Sequence, residues 1–186
     1  MSARPGFTRV ARLLHWAMAA MILAMLFIGV GMVSTVSNRH DALVAIHRPL
    51  GIAILVLAAI RLVYRLTHPA PPLPAGMPTW QRGAAHLSHW ALYGLMLALP
   101  LVGWAMLSAG AYPVVLYQAL HLPAILPPDP MLYAALRRAH RLLAYLLFAT
   151  FLAHLAAALL HGLVYRDGVF ASMARGRSGR TLPRTG

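Results

Sequence analysis

The sequence predicts an all-α integral membrane protein, a four-helix bundle, and three observations point there. Of its 186 residues 60% are hydrophobic and only 10% charged, far from the balance of a soluble globular chain. Uncharged runs long enough to cross a bilayer recur along the chain. Two histidines, His140 and His154, stand fourteen residues apart inside one of those runs.

The spans follow from the positions of the charges. Residues 13–38 give 26 uncharged positions and residues 142–165 give 24, each more than the roughly 20 that cross a hydrocarbon core. Helix 1 is expected over about 9–36, entered after Pro5 and Gly6. Its apolar run is too long for a secretory signal and no small-residue cleavage site follows, so it is read as a mature helix. A short outer loop, Ser37 to Asp41, leads to helix 2 at about 43–67. Only 12 residues (49–60) separate Arg48 from Arg61, so this span requires Arg48, Arg61 and Arg65 to snorkel or to meet polar groups. The proline-rich segment 68–74 ends it, because proline lacks an amide donor and disfavours helix before it. Helix 3 is expected over about 79–109, with a kink at Pro100. Residues 110–130 carry five prolines, and Val114–His121 reads there as a short interfacial helix. Helix 4 is expected over about 131–165. The four-helix domain then covers 1–174, and 175–186 forms a basic, disordered tail.

All 16 basic residues are arginine, and the three acids are Asp41, Asp129 and Asp167, for a net charge of +13. Because the arginines flank apolar helices, they report topology in a lipid bilayer and not binding to nucleic acid. Arg4, Arg9, Arg12, Arg61, Arg65, Arg82, Arg166, Arg175, Arg177, Arg180 and Arg184 fall on one side, eleven in all; Arg39, Arg48, Arg137, Arg138 and Arg141 fall on the other, five in all. That split predicts cytoplasmic N- and C-termini. The absence of cysteine excludes covalent c-type haem, thiolate-held iron–sulfur or copper centres and disulfides. No phosphate-binding glycine loop, hydrolase triad or internal repeat is present, and the carboxylates are too few for a di-iron site.

Histidine therefore carries the chemistry. His140 and His154 lie roughly 21 Å apart along a helix axis and within about 40° of one face. His15 and His47 stand in other apolar segments, near opposite ends of the spanning region. An imidazole in hydrocarbon needs a partner. Antiparallel neighbours place His47 with His140 at one level and His15 with His154 at another, an arrangement that suits two b-type haems in the bundle core. Spacing alone leaves His89 competing with His15 as the inner partner. His86 and His89 share a face of helix 3 and otherwise suit haem propionates, a quinone or a proton route. His161 approaches the membrane surface and suits propionates or water. His40, His68 and His121 read as solvated surface groups.

The chain resembles bacterial cytochrome b561, the four-helix di-haem quinone-reacting family that includes superoxide oxidase, from about Arg9 to Arg175. The resemblance is carried by Leu14-His15-Trp16, by His47-Arg48-Pro49-Leu50-Gly51 with Arg61 and Arg65, and by the proline hinge 69–74. It continues through Ala85-His86-Leu87-Ser88-His89, the stretch 99–104, His140, His154, His161 and Arg166-Asp167-Gly168. It implies two haem b groups, with His15 and His154 on the inner iron and His47 and His140 on the outer. It implies an oxidoreductase that passes electrons from superoxide, or another donor, to ubiquinone. Iron with two axial imidazoles has no open position, so outer-sphere electron transfer is the expected chemistry. Arg12, Arg48, Arg82, His86, His89 and His161 are candidate propionate or quinone contacts. The cluster Arg137, Arg138 and Arg141 beside His140 is richer in positive charge than the family suggests and is a candidate for steering superoxide. The main alternative is an electron-carrier subunit serving a dehydrogenase or a periplasmic protein partner. A histidine-based metal transporter is disfavoured by the lack of cysteine and of intramembrane carboxylates.

Overall fold

A computed structural model describes residues 6–117 and 120–175. Arg4, Arg177, Arg180 and Arg184 of the topology argument, and 176–186 of the expected tail, lie outside the described residues.

Four helices are long and apolar enough to cross a membrane. Helix α1 spans Arg9–Ser34; Thr8 caps it, its hydroxyl accepting from the Ala11 amide at 3.1 Å. Helix α2 spans Asn38–Thr67, five residues earlier than the expected start, so the outer connection is only residues 35–37. The cause is local. Ser37 accepts from the Arg39 amide and Asp41 sits in the first turn, where a carboxylate favours the helix dipole. The polar run that reads as a loop is a capped helix start. Helix α3 spans Thr79–Ala109 and α4 spans Pro130–Leu159. Asp129 accepts from the Met131 and Leu132 amides with Pro130 at the first helical position, a strong start signal. Pro49 and Pro100 sit inside α2 and α3 without ending them.

Two segments depart from expectation. Residues 114–121 do not form a helix: strands β1 (Val114–Tyr117) and β2 (Leu120–Leu122) pair antiparallel, Val114 opposite Leu122 and Val115 opposite His121. Adjacent valines favour a pleated strand, and Pro113 and Pro123 bracket a piece too short to nucleate a helix. The hairpin is fastened to α3, Trp104 donating to the Pro123 carbonyl at 2.9 Å and the Ile125 amide to the Ser108 hydroxyl at 3.1 Å. At the other end, α4 widens into a π-helical segment, Leu160–Tyr165, then turns into the short helix α5, Val169–Ala174.

Helix α1 packs along α2, α2 against α3, and α3 along α4, whereas α4 stands off from α1 and α2. The core that holds α1, α2 and α3 together includes Met18, Ile22, Ile54, Ala58, Tyr93, Met96 and Leu99, with Leu147 from α4. Large apolar side chains such as Leu13, Phe27, Val33, Val63, Leu87 and Leu142 face outward. Among helices with no free backbone donors in their interiors, such a surface is solvated by lipid.

Candidate cofactor site

The space beside α4 is bridged by imidazoles. His15 (α1) and His154 (α4) have ring centres 6.4 Å apart; His47 (α2) and His140 (α4) have ring centres 6.1 Å apart. The two couples sit at two levels of one helix, about 21 Å apart along its axis. His47 and His154 make no hydrogen bond among the described residues, His140 makes one to the Leu99 backbone, and the Nδ1 atoms of His47 and His140 are fully enclosed without a partner. Leaving such a group unpaired costs about 1–3 kcal/mol, so each ring calls for a partner the chain does not supply.

A metal held between two imidazoles meets that need. Bonds of about 2 Å from the metal to each ring nitrogen, as for other imidazole-bound metals, put the ring centres about 6 Å apart. Both couples fit. His89 also approaches His154, edge to face, with ring centres 5.2 Å apart, tighter than that spacing allows. No cluster of three or more His or carboxylate groups suited to a bare metal ion occurs among the described residues. The donors come as pairs, which fits a metal whose remaining positions are filled by a macrocycle.

His15 has a partner that sequence reasoning missed. Arg61 of α2 reaches back, donating from Nη2 to His15 Nδ1 at 3.1 Å and from Nη1 to the Ala11 carbonyl at 3.2 Å, with its guanidinium 5.9 Å from the Tyr93 ring centre. Arginine only donates, so His15 Nδ1 is the acceptor here. Gly103 is the second omission. A Cβ at this position would meet His140 Cε1 at 3.3 Å and Nδ1 at 3.5 Å, so the missing side chain is what lets the ring lie against α3. The sequence marked Arg61 only as a charge in the second span that must snorkel or meet a polar group, and Gly103 only by its place in a longer matching stretch.

The remaining candidates divide. Arg12 sends Nη2 to the Ala174 carbonyl at 3.4 Å, while its Nε is enclosed and unpartnered. Arg82 is taken up by the hinge, donating to the Pro74, Ala75 and Met77 carbonyls. Arg48 is half-buried beside His47, and His86 is exposed on α3. His161 pairs with Asp167 at 2.6 Å. Arg137, Arg138 and Arg141 are exposed around His140. His40 bonds the Met32 carbonyl, His68 stacks on Tyr64, and His121 is exposed on β2.

Comparison with known proteins gives the family. The prokaryotic cytochrome b561 family matches residues 6–176. A Yersinia pestis protein named probable superoxide oxidase CybB is 34% identical over 128 residues, 69% of this chain and 72% of that one. Two Escherichia coli K12 proteins are also similar. Cytochrome b561 homolog 2 is 30% identical over 60% of this chain and 61% of its own, and cytochrome b561 homolog 1 is 27% identical over 90% and 96%. The chain belongs to the prokaryotic cytochrome b561 family, whose members are multi-pass bacterial membrane proteins that carry electrons with b-type haem.

Proposed function

We propose that the chain holds two b-type haems, the outer between His47 and His140 and the inner between His15 and His154, and passes electrons from superoxide at the outer face to ubiquinone in the membrane. One observation carries this reading: two imidazole couples, each about 6 Å across, bridge the same space at two levels of α4. The name of the Yersinia relative supports superoxide as donor. When bound, each haem would be held by the imidazole couple at its level of α4 and would supply one-electron transfer.

The chain's own residues do the rest. His15 as a ligand through Nε2 carries its proton on Nδ1, which cannot accept from Arg61. With His15 so engaged, Arg61 would be free to donate to another acceptor, and an anionic propionate would suit it. Arg12, with an unpartnered Nε at the same end of the bundle, offers a second donor. Arg9, Arg12, Arg61, Arg65, Arg82, Arg166 and Arg175 belong to the end where α1 begins and α4 finishes; Arg39, Arg48, Arg137, Arg138 and Arg141 belong to the opposite end. With the four arginines outside the described residues added to the first group, this asymmetry favours cytoplasmic termini and puts His47 and His140 on the outer side.

Arg137, Arg138 and Arg141 then raise the positive potential where superoxide arrives. Neutralising Arg137→Gln and Arg138→Gln together is expected to slow reduction of the protein by superoxide about tenfold at low ionic strength and to flatten the salt dependence. Stopped-flow traces over a salt series read this directly, with an unchanged haem spectrum as control. Equal rates and equal salt slopes reject steering by this patch. Indifference of the wild type to superoxide, with fast reduction by ubiquinol, favours the electron-carrier reading.

Gly103 gives a second expectation. Gly103→Ala should perturb the outer haem alone, shifting its midpoint potential while the inner one stays put, and Gly103→Leu should lower outer haem content. A redox titration resolving two components separates these results.

A further inference from the structure

The three carboxylates of this chain have different surroundings. Asp41 lies in the first turn of α2 and Asp129 caps α4. Asp167 is the one that meets a histidine: its Oδ2 lies 2.6 Å from His161 Nδ1, while its Oδ1 accepts from the Val169 amide at 3.1 Å. Considerable local structure surrounds the pair. Helix α4 gives up regular hydrogen bonding for a π-helical turn at Leu160–Tyr165, a feature that recurs at functional sites. Arg166 then takes a left-handed conformation (φ 50°), as does Gly168 (φ 85°), and the chain reverses.

The returning helix α5 is held on several sides. Phe170 packs on Gly162, where a Cβ would lie 3.1 Å from its ring. The Phe7 amide donates to the Ser172 carbonyl, Trp16 Nε1 to Met173 and Arg12 Nη2 to Ala174. His161 is thus fixed from one edge. Its ring is half-buried with Tyr165 edge-on at 5.2 Å, and Nε2 makes no hydrogen bond among the described residues. His161 also follows His154 by seven residues, two helical turns closer to the membrane surface on almost the same face.

We propose that Asp167 is a positioning residue for quinone chemistry: it holds His161 with Nδ1–H on the carboxylate, so that Nε2 is presented to a quinone head group beside the inner His15–His154 couple. This rests on the reading of the chain as a quinone reductase. Two superoxide anions are oxidised to two O₂, and their two electrons, with two protons, convert quinone to quinol. The doubly protonated His161 gives its Nε2 proton to a quinone oxygen. The neutral ring keeps Nδ1–H on Asp167 and recovers the Nε2 proton from water for the second transfer.

The test compares two electron acceptors on the reduced, haem-loaded protein. Ubiquinone-1 needs protons as well as electrons; ferricyanide needs electrons alone. Asp167→Asn is expected to slow oxidation by ubiquinone-1 at least about tenfold, short of the roughly 10⁴-fold cost of the equivalent carboxylate change in a serine-protease triad. Oxidation by ferricyanide should stay at the wild-type rate. Asp167→Glu should restore part of the ubiquinone rate, and adding Asp167→Asn to His161→Ala should cost nothing further. If Asp167→Asn lowers haem content, the Glu variant and His161→Ala supply the same comparison. Equal slowing with both acceptors, or an unaffected ubiquinone rate, overturns the assignment and leaves Asp167 as a pin for α5. A wild type that ferricyanide oxidises and ubiquinone-1 does not overturns the quinone reading itself.

Discussion

His140→Ala is expected to yield a protein that binds one haem per chain where the wild type binds two, with the outer component missing from the redox titration. The size of the effect follows from the surroundings. His140 and His47 face each other at 6.1 Å, and the Nδ1 atom of each is enclosed with no hydrogen-bond partner among the described residues. With one ring gone, no nearby side chain replaces it in an apolar core. His47→Ala should match it. Even changes to groups that merely support a metal ligand cost about 10- to 100-fold in affinity, so loss of the ligand itself should empty the position at ordinary haem concentrations. Quantifying haem per chain, with the spectrum of what remains, checks the result.

The second large effect separates His15 from His89. Both rings approach His154, at 6.4 Å and 5.2 Å between centres. The longer distance has room for an iron between two nitrogens and the shorter does not. His15→Ala should therefore remove the inner haem, whereas His89→Ala should keep two low-spin haems and alter the behaviour of the inner one only modestly. Electron paramagnetic resonance of the ferric proteins distinguishes the cases. Two low-spin signals in His15→Ala and one in His89→Ala would reverse the assignment.

The family was legible from motifs such as Leu14-His15-Trp16 and His47-Arg48-Pro49 standing in order, and most of the spans, along with the cofactor classes excluded, from what the chain avoids. Charge is absent from 13–38 and 142–165, and cysteine is absent throughout. The start of α2 was obscured because Asn38-Arg39-His40-Asp41 is polar, and polarity at a membrane surface suits a capped helix as well as a loop. The hairpin at 114–122 was misread for a related reason. Apolar runs of a few residues carry no periodicity that separates strand from helix, and the decisive signals were the paired valines and the bracketing prolines.

Within the candidate site, the histidines on α4 stood out because imidazole in hydrocarbon is conspicuous at any spacing. Arg61, Gly103 and Asp167 did not. Arg61 reaches His15 across 46 positions of sequence, and the closeness of Gly103 to His140 depends on how α3 packs along α4. Asp167 lies only six residues from His161, but the two meet because a π-helical turn and two left-handed residues fold the chain back, and neither feature has a reliable sequence signature.

Two haems held by four histidines can be counted. Purified protein, assayed for haem by the pyridine haemochrome method and for chain by amino-acid analysis, tests that assignment most directly. Two non-covalent b-type haems per chain are expected, with both ferric irons low-spin under magnetic resonance. A single haem per chain at full loading, or a high-spin ferric signal of equal weight, would contradict it.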